Sequence, residues 1–156
     1  MKAIHSIIAA AALALVQPAQ AAQTDPEVII YRFTGVRDDG GAQGFGTATL
    51  FECTNFSGAV ENLRFVTRDV AGTLKSNVAQ VIVHLGTIAM LTHTSLGINF
   101  TTSLATGAVG QGSTAIAATS TSIVCGARLI DATGNSPFDS VPLRGVRFNP
   151  VPGSEE

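Results

Sequence analysis

The sequence predicts an all-β protein, a two-sheet antiparallel sandwich of immunoglobulin-like architecture, and three observations carry that expectation. Apolar and polar residues alternate in segment after segment, and turn residues interrupt them about every 10 positions. Beyond the N-terminus no useful stretch shows the 3.6-residue repeat of an amphipathic helix. Two cysteines, Cys53 and Cys125, stand 72 positions apart in the apolar phases of two such segments, a separation suited to a bridge between facing sheets. The absence of tryptophan and the Ile123 that stands two residues before Cys125 depart from true immunoglobulin domains, so only the architecture is expected.

Taken in order, V-I-I-Y-R-F at 28–33 opens the domain, with Ile29, Tyr31 and Phe33 in one phase and Arg32 in the other. Asp38-Asp39-Gly40-Gly41, with Gly44 and Gly46, forms a turn region. Residues 46–54 place Thr47, Thr49, Phe51 and Cys53 on one face and Glu52 on a wetter one. Residues 60–70 send Leu63 and Phe65 inward and leave Asn62, Arg64 and Arg68 in water. After Ala71-Gly72, residues 78–85 are expected to bury Val81, Val83 and Leu85 and to expose Gln80 and His84. Residues 87–94 and 98–104 read as a strand pair around Ser95-Leu96-Gly97, with Ile98, Phe100 and Leu104 on one face. A glycine-containing connection at 105–112 leads to a strand at 113–119. The strand at 121–131 then aligns Ile123, Cys125, Ala127 and Leu129. The last strand, 141–148, shifts its apolar phase between Leu143 and Val146, which predicts a bulge near Gly145, and Pro142 places the strand at an edge or stands near its beginning. Leu63, Phe65, Val83, Phe100 and Leu129 are the expected core.

Residues 1–21 have the tripartite form of a secretory signal peptide: Lys2, an apolar run over 7–16, and Ala19-Gln20-Ala21 as the cleavage motif. An apolar run of about 10 residues is short of the ~20 that span a bilayer, so no membrane span is expected after cleavage. The mature chain, 22–156, is then one β-sandwich domain carrying 8 Lys and Arg against 11 Asp and Glu with no basic cluster. That balance gives nucleic acid no electrostatic footprint. The protein is expected to be secreted or periplasmic, and an oxidising compartment favours a Cys53–Cys125 disulfide over two buried free thiols.

Chemistry-bearing patterns are sparse. His84 and His93 follow the signal peptide without an H-E-x-x-H or another ligand at a recognisable spacing, and their phases suggest exposed or half-exposed strand positions. No serine occupies a G-x-S-x-G elbow. Asp38 and Asp39 lack the calcium-loop pattern, and the glycines of 41–46 precede no helix that would help them hold phosphate. Tyr31 is the only tyrosine, which leaves no aromatic platform for sugars. The sequons Asn55-Phe56-Ser57 and Asn99-Phe100-Thr101 are glycosylation acceptors in a eukaryotic secretory pathway.

The segment A-T-L-F-E-C-T-N-F-S at 48–57 and the ending V-R-F-N-P-V-P-G-S-E-E at 146–156 resemble small exported bacterial proteins of unassigned function. The resemblance implies export and a β fold, and no activity, cofactor or catalytic residue comes with it. The functional expectation is a non-enzymatic structural or protein-binding module, with no cofactor, that meets a protein partner outside the cytoplasm through a strand face or sheet edge. The alternative is a metal-dependent enzyme or metal-binding protein that uses His84 and His93. Exchange of strands through the tails is disfavoured by their polar, proline-containing sequences.

Overall fold

The structure, a computed structural model, describes residues 27–40, 46–93, 101–132 and 140–148. The signal peptide at 1–21, Asn99, Phe100, the Ser95-Leu96-Gly97 turn and the tail beyond Phe148 lie outside them. All regular structure among the described residues is strand: β1 (Val28–Asp38), β2 (Thr47–Asn55), β3 (Glu61–Asp69), β4 (Leu74–Ile82), β5 (Thr87–Leu91), β6 (Thr101–Ser103), β7 (Val109–Ala118), β8 (Ile123–Asp131), β9 (Ser140–Pro142) and β10 (Gly145–Arg147). Among those residues no helix is long and apolar enough to cross a membrane.

Two five-stranded sheets result, one in the order β10-β1-β7-β3-β4 and the other β6-β5-β2-β8-β9. Their facing sides share one apolar interior, because strand alternation delivers Phe33, Leu63, Phe65 and Ile116 from the first sheet and Phe51, Met90, Ile123 and Cys125 from the second. Phe51 is its hinge pin. Its ring meets Phe33 edge-on at 5.8 Å and Phe65 at 6.0 Å, both reached from the opposite sheet, a geometry worth about 0.5–1.5 kcal/mol per pair beyond burial. A second, smaller apolar cluster of Ala48, Leu50, Leu91 and Ile130 lies on the other face of β2, β5 and β8.

Several sequence expectations are corrected. Cys53 and Cys125 do not join facing sheets. They are register partners on adjacent strands of one sheet, with Cα atoms 4.1 Å apart and sulfurs at bonding distance, 2.14 Å. Such close Cα atoms belong to a non-hydrogen-bonded antiparallel pair, a geometry that the spacing of 72 does not encode. The sheets are not wholly antiparallel either, since β5 and β6 run parallel. No hairpin joins them.

The phase of β4 is the reverse of the expected one. Ser76 and Ile82 are buried, while Val81 and Val83 are exposed at 62% and 59% and Leu85 is also exposed. Register decides this: Phe65 faces Val78 and Leu63 faces Gln80, so the buried phase of β3 selects the even positions of β4. Leu63 and Phe65 are fully buried, whereas Leu129 is only half-buried. In β1 a register shift between Ile29 and Tyr31 turns Ile30 inward in place of Ile29. Strand β7 begins at Val109, inside the expected connection.

The phase shift near Gly145 is not a bulge. Strand β9 pairs with β8 in one sheet and β10 with β1 in the other, so the chain crosses between sheets at Leu143 and Arg144. Gly145 sits against the Phe33 ring where a Cβ would collide with it. The expected edge position holds for both short strands.

Candidate functional site

The two histidines lie at opposite ends of β5, whose four residue steps span about 14 Å. His84 is exposed, and its Nδ1 accepts a hydrogen bond from the Gly58 amide at 3.0 Å. His93 is buried, against expectation, and its Nδ1 meets Asp38 Oδ1 at 3.2 Å. One metal ion cannot be shared between them. No group of three or more His, Cys, Asp or Glu that could hold a metal occurs among the described residues.

Asp38 is no turn residue but the buried end of β1. Its Oδ1 also accepts from the Gly40 amide at 2.6 Å, while Oδ2 has no partner. Around it, Thr49 Oγ1 accepts from the Arg37 amide at 2.9 Å and donates to the Arg37 carbonyl. Thr92 Oγ1 accepts from the Thr49 amide, and Thr106 Oγ1 donates to the Thr92 carbonyl. These threonines satisfy backbone groups that alternation alone leaves unpaired at the strand ends. Ser103, the nearest serine of this cluster, directs its hydroxyl to the His93 carbonyl, which leaves it bonded to backbone and not presented as a nucleophile. The cluster fastens the exit of β1 to β2 and β5.

Asn55 occupies the other end of β2. It is fully buried, its amide nitrogen donates to the carbonyls of Ala59 at 2.7 Å and Ile82 at 3.1 Å, and its Oδ1 accepts from the Ser57 amide at 2.8 Å. A glycan cannot be attached there in the folded protein, because the nitrogen it needs is enclosed and bonded. The second sequon, at Asn99, is outside the described residues.

Among the described residues the first sheet presents one surface open to a partner. Its outer face carries the small residues Ser113, Ala115 and Ala117 on central β7, flanked by Arg32 on β1 and by Arg64, Val66 and Arg68 on β3. Most of these residues line a shallow basin of about 230 Å³. Its cations are occupied: Arg64 pairs with Glu27 at 2.6 Å, Arg68 donates to the Gly72 carbonyl, and Arg32 lies over the Phe148 ring.

The edge of that sheet is different in kind. Among the described residues β4 pairs with β3 alone. Asn62 exchanges hydrogen bonds with Thr119, on the β7 side, so alternation turns the main-chain groups of Leu63 and Phe65 toward β4. The amides and carbonyls of their partners Gln80 and Val78 answer them. Those of Asn77, Ala79 and Val81 therefore point away from the sheet, and all three side chains are exposed. Of the other edges, β10 is three residues long and β9 contains Pro142, and among the described residues β6 and β9 each show three strand residues. Short length and proline are the usual devices that close an edge to pairing, whereas β4 has nine residues, no proline and one charge, Lys75. Sequence reasoning missed this edge because it read the strand's exposed valines as core. Comparison with protein-family models, with curated proteins and with solved structures gives no match.

Proposed function

We propose that the protein is a non-enzymatic, extracytoplasmic binding module that engages a protein partner by adding a strand to the β4 edge. The observation that carries this reading is the β4 edge itself, nine residues with one charge and no proline, whose outward main-chain groups meet no other strand among the described residues. The exposed side chains of Leu74 and Val81 offer apolar contact beside the free main-chain groups. Export is part of the proposal, supported by the signal-like N-terminus and by cysteine sulfurs at bonding distance, which suit an oxidising compartment. So is the immunoglobulin-like description, supported by two packed sheets and weakened by a cysteine pair within one sheet.

Ala79→Pro tests it. Proline removes one N–H that points to solvent and none that pairs with β3, a position where edge strands tolerate it. Photo-crosslinking of the tagged protein in its native host should capture a partner that the variant, folded by circular dichroism, fails to capture. Equal capture by both proteins would reject the edge. Stoichiometric metal in the purified protein, with turnover lost in His84→Ala or His93→Ala, would favour an enzyme instead.

A further inference from the structure

We propose that one pole of the sandwich is a lipid-binding tip, where the β2–β3 and β4–β5 turns dip apolar side chains into the interface of a bilayer. This goes beyond the β4 reading and does not depend on it. Phe56 and Val60 on the first turn and Val83 and Leu85 on the second are between 53% and 65% exposed. The two turns are bonded side by side: the Asn55 amide donates to the Gly86 carbonyl at 3.1 Å, the Leu85 amide to the Asn55 carbonyl at 2.8 Å, and the Gly58 amide to His84 Nδ1. Four large apolar side chains are thus gathered at one pole, a concentration that marks a contact surface. Residues 56–60 and 83–86 include no Asp, Glu, Lys or Arg. At the far end of β3 the exposed Val70 instead follows Arg68 and Asp69 and precedes Lys75, so the two poles differ in chemistry.

Two further observations select lipid over a protein partner. Every amide from Phe56 to Ala59, and those of Leu85 and Gly86, already donates within the protein. Phe56 donates to the Ser122 carbonyl, Ser57 to Asn55 Oδ1, Ala59 to Ser57 Oγ and Gly86 to the Val83 carbonyl, which with the bonds above completes the set. An apolar medium satisfies no donor, so a tip whose amides are bonded beforehand enters it without leaving them stranded. A partner that recognises main-chain groups finds none of these amides free. The second observation is Leu85, which holds φ +60° while its side chain stands in water. The fold gains little from that exposed side chain, and strain of this kind points to a contact made outside the chain. Gly58, in the other turn, has open space where a Cβ would point, so no neighbouring segment shields it from a surface. Apolar elements at a bilayer surface sink about 5–10 Å, the scale of a turn and its side chains.

Flotation of the mature protein with extruded phosphatidylcholine vesicles, with and without phosphatidylglycerol, reads the binding. Because the two turns carry no carboxylate, ammonium or guanidinium, the bound fraction should be similar on both compositions and should survive high salt. Leu85→Gly, which relieves the left-handed position, should unfold no earlier than the wild type yet bind vesicles about tenfold more weakly, and Phe56→Ser should weaken binding by a similar factor. Val70→Ser, at the other pole, should bind as the wild type does. The chain has no tryptophan, so Phe56→Trp reports from the tip alone, and its emission should move to the blue when vesicles are added. Wild-type protein that does not float at millimolar lipid, an equal loss in Val70→Ser, or an unshifted tryptophan in floated protein overturns the tip. Binding confined to phosphatidylglycerol and abolished by salt would replace it with attraction to cations elsewhere on the surface. Self-association lost in Leu85→Gly, without flotation, would give the tip to a second copy of the chain.

Discussion

Asn55→Asp replaces an NH₂ by an oxygen without changing the shape of the side chain. In the native protein that NH₂ donates to two carbonyls, of Ala59 and of Ile82, and the residue is shut off from water. Near neutral pH the variant would set a carboxylate against both oxygens. The Ile82 carbonyl keeps its strand partner Glu61 but loses this second donor, and the Ala59 carbonyl loses its bond as well, at about 1 kcal/mol per lost bond. With the enclosed charge, the total should reach about 3–5 kcal/mol, a fall in melting temperature of roughly 10–20 °C for a domain of this size. Protonation relieves the clash, because a carboxyl O–H can donate to one carbonyl. The folded variant must therefore bind its proton at higher pH than the unfolded chain does. It gains stability relative to wild type as pH falls through the folded pKa toward the unfolded value near 3.9. Asn55→Ala, which lacks the charge, should show a smaller loss with no such slope. Thermal unfolding by circular dichroism from pH 4.5 to 7.5 measures both. An Asp variant within a few degrees of wild type at pH 7, or parallel to it across the range, would refute the reasoning.

The phase of β4 is tested by pairing Phe65→Ala, expected to cost about 3–5 kcal/mol, with Val83→Ala, expected to stay within about 0.5 kcal/mol; equal effects in urea titrations would contradict the register. Intact-mass measurement with and without reduction should show two hydrogens gained only on reduction, and Cys53→Ala with Cys125→Ala should cost about 2–4 kcal/mol. Native protein with two alkylatable thiols would show that the bond is absent. Leu85 has φ +60° and an exposed side chain, a left-handed conformation that costs a non-glycine residue about 1–2 kcal/mol. After the entropy cost of glycine, Leu85→Gly should still stabilise by roughly 0.5–1 kcal/mol, and a lower melting temperature would argue against that backbone geometry.

The sequence was most legible where one phase of a strand is apolar and the other is not. In 61–69, Leu63 and Phe65 alternate with Asn62 and Arg64, and both expected core residues are buried. Along 78–83 both phases are apolar, with Val78 and Ile82 in one and Val81 and Val83 in the other, so only the neighbouring strand can choose between them. The cysteine spacing likewise fits a bridge within a sheet as well as one between sheets. Alternation points to a turn for Asp38 and to a wetter position for His93 because it describes mid-strand positions and not strand ends, where polar groups can be buried together. The recurrence of threonine at inward positions, Thr49, Thr67 and Thr114, was the available signal: Thr67 and Thr114 bond each other at 2.8 Å inside the core. The open edge left a trace too, in a strand with a single charge and no proline.

The cysteine pair ties β2 to its neighbour β8 and leaves β3 to β7, the β4 edge included, inside the covalent ring. Tension applied between the two ends of the chain would pass from Cys53 straight to Cys125 and leave the enclosed strands unloaded. The shielded 72 positions correspond to about 250 Å of extended chain at roughly 3.5 Å per residue, length that cannot be drawn out until the bond is reduced. A contact made through β4 would thus be insulated from pulling on either terminus, a mechanical property that reduction alone would abolish.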